Sequence, residues 1–179
     1  MALEFRAFDD ARLRATRDAW VQDVEMGWAF PSEVERLFAW IKDAEVRAQS
    51  EAGSAKAYGV FQKGKPVALG ICEVVVYRQS AGSKWVKMLR LHLRPSVDNE
   101  LQGGKPDSAI DVFGQAMLGS VGLQFEHKAT TLKVYGRTNS QLNFLRAVAS
   151  TVDARLGQEA KRHARVTIDG RFLSIVFSR

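Results

Sequence analysis

Lys84-Trp85-Val86-Lys87-Met88-Leu89-Arg90-Leu91-His92-Leu93-Arg94-Pro95 is the stretch on which the fold turns. Trp85, Lys87, Leu89, Leu91 and Leu93 fall at every second position, with Val86, Met88, Arg90 and His92 between them. A period of two sends these sets to opposite sides of a strand. The pattern predicts a strand over 84–93, stopped at Pro95, which cannot donate to a ladder. Just upstream, Val67 to Tyr77 carries the β-branched run Val74-Val75-Val76, and Ala57 to Gln62 is a further strand. Lys63-Gly64-Lys65-Pro66 and Gln79-Ser80-Ala81-Gly82-Ser83 have turn composition and separate the three. Together they predict an antiparallel meander.

Outward from the meander the elements alternate. Leu3 to Phe8 reads as a short strand, and Asp9 or Asp10 caps a helix that carries Leu13, Trp20, Val21 and Val24 and ends at Gly27. Pro31-Ser32-Glu33-Val34-Glu35 predicts a second helix, with Ser32 as its N-cap and Glu35 as the capping-box partner. Val34, Leu37, Phe38, Ile41, Ala44 and Ala48 line one face of it. Residues 96–107 read as a polar loop containing Gly103-Gly104-Lys105-Pro106. Ser108 with Asp111 caps a helix whose inward residues are Ile110, Phe113, Met117 and Val121. Thr130 to Tyr135 is a strand, and Asn139 or Thr138 caps a helix with Leu142, Leu145, Val148 and Ala149 inward. Arg165 to Ile168 and Phe172 to Phe177 form a hairpin about Asp169-Gly170. The order β, α, α, β, β, β, α, β, α, β, β predicts an α/β (mixed α+β) fold: a mixed, mostly antiparallel sheet with helices on both faces. There is no repeat or linker, so 1–179 reads as a single domain.

Composition bounds the class. Apolar residues make up 46% and charged residues 26% of 179, which is globular rather than disordered. Cys72 is the single cysteine, so no internal disulfide forms and no Cys/His metal site is expected. No apolar run is long enough to cross a bilayer, and Met1 to Arg6 lacks a signal peptide's apolar core. The expectation is a cytoplasmic protein without membrane partners. The net charge is +6 and uneven: the first third is acidic, and 56–105 is cationic through Lys63, Lys65, Lys84, Lys87, Arg90 and Arg94, among others. Such a field favours an anionic partner; equally, it is the ordinary solvated side of a sheet. Aromatics are not interleaved with these cations along the chain, which argues against nucleic acid.

The order of elements resembles the GNAT superfamily of acyl-CoA-dependent N-acyltransferases over nearly the whole chain. Met88-Leu89-Arg90-Leu91-His92-Leu93-Arg94-Pro95 is similar to that family's fourth strand, and Leu132-Lys133-Val134-Tyr135-Gly136-Arg137-Thr138-Asn139 with Leu142 and Leu145 to its fifth strand and next helix. The resemblance implies an opening between these strands, acetyl-CoA or another acyl-CoA as cofactor without a metal, and a small-molecule or protein amine as acceptor. Direct transfer needs a base for the amine, an N–H donor for the oxyanion and an acid for the thiolate. The family's Gln/Arg-x-x-Gly-x-Gly/Ala phosphate motif is absent. Its nearest substitute is Gly103-Gly104-Lys105, equally readable as a surface loop. The family's later tyrosine acid is replaced by Arg146, leaving Tyr135 as the nearest phenol.

The candidates each carry two readings. His92 is a base near neutrality or an ordinary strand histidine. Glu73, inside an apolar run, is a base through water or the ion-pair partner of Arg90 or Lys87. The backbone at Leu91 and Leu93 holds a pantetheine arm if the resemblance extends to ligand. Asn139 caps its helix or touches the cofactor. Trp28 and Phe30 border an acceptor pocket, or Phe30 staples onto the Val34–Phe38 face. Two functions lead, an acyl-CoA-dependent N-acyltransferase or a GNAT-like module that binds or regulates without catalysis, with self-association open in both; a basic nucleic-acid module, marked by steep loss of binding with salt, stands third.

Overall fold

The computed structural model describes residues 2–50, 53, 55–78, 84–137, 139–155 and 164–177. The expected turn at 79–83 and the Thr138 cap lie outside the described residues, as do the side chain of Ala48 and the chain from 156 to 163. The elements run β1 (Leu3–Ala7), α1 (Asp10–Glu25), α2 (Pro31–Ser50), β2 (Ala55–Gln62), β3 (Ala68–Arg78), β4 (Lys84–Leu93), α3 (Pro95–Gln102), α4 (Asp107–Glu126), β5 (Thr131–Tyr135), α5 (Asn139–Arg155), β6 (Ala164–Asp169) and β7 (Phe172–Phe177). The strands form one sheet in the order β1-β2-β3-β4-β5-β7-β6, flanked by helices. β1 with β2, β5 with β7 and β6 with β7 are antiparallel, and β4 with β5 is parallel. A parallel pair needs a crossover, which α3 and α4 supply.

Two compact units make up the chain: Met1–Glu73 with Leu91–Gly119, and Val74–Arg90 with Ser120–Arg179. In the first, Trp20, Val34, Leu37, Phe38, Ile41, Phe61, Ala68 and Ile71 form the core. Thr16 and Trp20, one helical turn apart on α1, both hold Ala68. Thr16 Oγ1 accepts from the Ala68 N–H at 3.0 Å, and Trp20 Nε1 donates to the Ala68 carbonyl at 2.9 Å. These bonds satisfy the buried backbone where β3 begins. A Cβ at Gly70 would lie 2.6 Å from Val112 Cγ1, so β3 passes α4 at a distance only glycine allows.

In the second unit Val86, Met88, Leu132, Val134 and Leu173 are buried, as are Leu142 and Leu145 of α5. At Gly136 a Cβ would meet the Leu142 backbone at 3.0 Å, which explains the glycine between β5 and α5. Gly170 takes φ +57 in the final hairpin. Asp169 pairs with Phe172, so the two loop residues are Gly170 and Arg171 rather than Asp169-Gly170.

Three expected starts are corrected. Ser32 is not the N-cap of α2: the Phe30 carbonyl accepts from Glu33 and Val34, and Pro31 takes the first helical position, where a missing N–H costs nothing. The stretch 96–107 is not all loop. Pro95 ends β4 and also opens α3, a helix absent from the sequence reading. α4 begins at Asp107, with the Pro106 carbonyl accepting from Ile110. Phe113 is buried as read, but Ile110 is 46% exposed and Ala109, Val112 and Ala116 are buried beside Phe113, so the inward face is turned by about one residue.

Candidate functional site

The β4–β5 ladder runs from Trp85↔Thr131 to Met88↔Val134 and stops, while β4 continues to Leu93. Leu89 to Leu93 therefore extends past its β5 partner. His92, Leu91 and Leu93 lie on this overhang and are half-buried.

The chain leaves β4 at Arg94, whose N–H donates to the Leu69 carbonyl at 2.9 Å. α3 starts at the next residue. Its first turn meets the Asp23 carboxylate, which comes from α1 and is 4% exposed. Arg94 Nε donates to Oδ2 at 2.8 Å, Arg94 Nη2 donates to Oδ1 at 2.9 Å, and the Ser96 N–H donates to Oδ2 at 3.0 Å. Burial pushes the Asp23 carboxyl up, but the hydrogen bonds from Arg94 and Ser96 outweigh it and hold the group below its ordinary value. The anion that a helix N-terminus attracts is here internal. Asp23 and Arg94 were not among the sequence candidates; 71 positions separate them and no local pattern links them.

Gly103, Gly104 and Lys105 cap the other end of α3. Their N–H groups donate to the carbonyls of Asn99, Leu101 and Glu100 at 2.9, 3.1 and 2.9 Å, and Gly104 takes φ +80. This is a helix C-cap, with its amides turned into the helix. The loop therefore offers an anion the Lys105 ammonium and the first-turn amides of α4, beside the Asp107 carboxylate.

Glu73 is half-buried. Its neighbour Cys72 is fully buried, and burial drives its thiol well above the ordinary range, so it is no nucleophile. Trp28 is 38% and Phe30 71% exposed, so Phe30 is no staple on α2. In the second unit Tyr135 packs its ring against Phe172 at 5.0 Å between centroids. Asn139 is exposed, and its Oδ1 accepts from Arg171 Nη1 at 3.5 Å. Arg171 also donates from Nε to the Gly136 carbonyl at 2.8 Å and from Nη2 to the Arg137 carbonyl at 2.7 Å. It thereby fixes the backbone that leads to Asn139. An open recess of about 510 Å³ beside β1 is lined by Arg6, Asp9, Arg12 and Lys63, among others, and contains none of the candidates. Among the described residues no group of three or more His, Cys, Asp or Glu is placed to hold a metal, and no helix is long and apolar enough to cross a membrane.

No protein-family model matches the chain, and no curated protein matches its sequence. Solved structures similar to it include an acetyltransferase from Agrobacterium tumefaciens (15% identity, 99% of this chain and 91% of that one, TM-score 0.45). Others are the NatC complex bound to Gag peptide and CoA (11%, 100% and 100%, 0.44) and the KacTA–DNA complex (16%, 97% and 92%, 0.47). The chain has a mixed α/β fold, a central, mostly antiparallel sheet flanked by helices, and no membrane-spanning helix is found among its described residues.

Proposed function

We propose that the chain is an acyl-CoA-dependent N-acyltransferase acting on a small-molecule or protein amine. The observation that carries this reading is the β4 overhang from Leu89 to Leu93, past the end of the β5 ladder. Strand backbone without a neighbouring strand is a template for an extended, amide-bearing ligand arm. The backbone at Leu91 and Leu93 takes that role, and Lys105 with the α4 first turn takes the phosphates. An acyl-CoA, when bound, supplies a thioester carbonyl. His92, or Glu73 through water, accepts the proton of the attacking amine. A β4 backbone N–H meets the developing oxyanion, and the Tyr135 hydroxyl returns a proton to the thiolate. Asn139 orients the ligand from the start of α5, and Trp28 and Phe30 receive the acceptor. In this reading residues 1–179 act as a single domain.

A second reading is favoured by Asp23. A phosphate at the α3 N-terminus would share its donors with a buried carboxylate, and like charges in one site repel. A chain that fills this position internally suits a GNAT-like module that binds or regulates without catalysis.

Thermal unfolding with acetyl-CoA, CoA, S-acetylpantetheine and ATP separates the two. The enzyme reading expects a rise in Tm with acetyl-CoA and CoA and none with ATP, since a ligand at a hundredfold its Kd adds about 2.7 kcal/mol. Lys105→Ala then weakens the CoA response and spares that of acetylpantetheine. No shift with any thioester at millimolar concentration removes the enzyme reading and leaves the module.

A further inference from the structure

The two sides of the sheet in the second unit differ: one carries large buried apolar residues, and on the other Thr131 and Ser174 are buried among half-buried aromatic and cationic side chains. Val86, Met88, Leu132, Val134 and Leu173 are buried on the first side. Strand partners fix what shares the other. Across β4, β5, β7 and β6, Trp85 falls in one row with Arg165, Lys87 stands beside Lys133 in the next, and Tyr135 faces Phe172 in the third. The Lys133 ammonium lies 4.6 Å from the centre of the Trp85 ring and 5.9 Å from that of Phe172. The Lys87 ammonium lies 5.1 Å from Trp85 and 5.9 Å from Tyr77, which is 46% exposed. Along the chain the aromatics and cations are scattered; across the strands they interleave.

Lys87 and Lys133 are direct strand partners, and like charges so placed destabilise a sheet. Among the described residues neither ammonium has a carboxylate partner, and both rest on rings instead. Arg165 is exposed on the same side, where Asp169 at its corner and Glu73, four residues before Tyr77 on β3, are the carboxylates among the described residues. The balance is positive and calls for an anion. Rings between the cations select an anion that also presents flat apolar faces. A phosphodiester chain with unpaired bases has both features in alternation.

We propose that this side of the sheet binds single-stranded nucleic acid, with Lys87, Lys133 and Arg165 on phosphates and Tyr77 stacking on a base. A folded acidic protein meets the cations but not the rings, and a duplex keeps its bases stacked away from them. The proposal is independent of the acyltransfer reading, and its failure leaves that reading untouched.

The test is fluorescence anisotropy of the full chain with labelled single strands of about twelve nucleotides, as RNA and as DNA, and with the matching duplex. From about 50 to about 200 mM salt, three phosphate contacts give a slope of log K on log salt of about −2. Lys87→Ala with Lys133→Ala lowers the affinity at least tenfold and brings the slope to about −0.7. Tyr77→Ala weakens binding and leaves the slope unchanged, as loss of stacking requires. Far-UV circular dichroism checks that the surface variants stay folded. Binding of either strand with these responses supports the proposal, and a preference names RNA or DNA. No binding at the lower salt, equal affinity for duplex, or an unchanged double variant overturns it.

Discussion

The Asp23 carboxylate and the Arg94 guanidinium meet in a two-pronged pair, Nε to Oδ2 at 2.8 Å and Nη2 to Oδ1 at 2.9 Å. The same carboxylate accepts the Ser96 N–H, so one side chain of α1 fixes both the exit of β4 and the start of α3. A planar guanidinium matches a carboxylate in this way and a lysine does not.

Asp23→Asn removes the charge and leaves Arg94 partly buried without its counter-ion. Breaking such a pair costs about 3–5 kcal/mol when fully buried. Arg94 keeps some exposure, so about 2 kcal/mol is expected in urea unfolding at pH 7. The pH dependence has a definite sign. The folded pKa of Asp23 lies below its ordinary value of 3.8, so its stabilisation is complete above about pH 4. It is lost as the pH falls through the folded value, where both states carry the proton. The stability gap between wild type and Asp23→Asn is therefore constant from pH 7 down to about pH 4 and narrows below it. A gap independent of pH would remove charge as its cause.

Gly119→Ala tests the seating of β1. A Cβ there would overlap the Phe5 ring and its Cβ, and the Phe5 ring is stacked on Tyr58 at 5.0 Å. The overlap involves the root of the Phe5 side chain, so a rotamer change does not relieve it. Overpacking of this kind costs about 1–3 kcal/mol, read as a lower urea midpoint with unchanged m-value. Gly114→Ala on the same helix, with nothing within 4 Å, is the control and should not lose stability.

Cys72 has no exposed surface, and burial raises its thiol far above the ordinary 9.0. The thiolate is the reactive form, so native protein at pH 8 should not react with a disulfide reagent over minutes, while protein in guanidinium should react at once with one equivalent. Rapid labelling of native protein would show that this part of β3 opens to solvent.

The strands were legible because period-two patterning is local. The expected β4 over 84–93 matches the observed Lys84–Leu93, and Val34, Leu37, Phe38, Ile41 and Ala44 of α2 are buried as read. α3 was missed because Pro95 signals both a strand's end and a helix's first residue, and only its first meaning was used. The Asp23–Arg94 pair joins a helix to a strand end 71 positions away, and Lys133 reaches Trp85 only through the β4–β5 ladder, so neither contact leaves a local signature. His92, Glu73 and Gly103-Gly104-Lys105 stood out by residue type. The glycine amides turned out to be engaged in a C-cap, a matter of which end of a helix they face.

Arg171 closes the account of the second unit. It receives the Gly136 N–H on its own carbonyl at 2.8 Å and donates to the carbonyls of Gly136 and Arg137. Two charge-assisted bonds from one guanidinium hold Gly136 and Arg137 just past the end of β5. Arg171→Ala removes both, and it leaves the Asp169↔Phe172 closure of the hairpin in place. The expected loss is about 1–3 kcal/mol in global stability, with faster amide exchange concentrated at 136–139 and at the first turn of α5. Arg171→Lys should restore little of the protection, because an ammonium cannot reach both carbonyls in the plane of a fork. Exchange that rises evenly over the whole chain would instead make Arg171 a general contributor to stability and not the latch of Asn139.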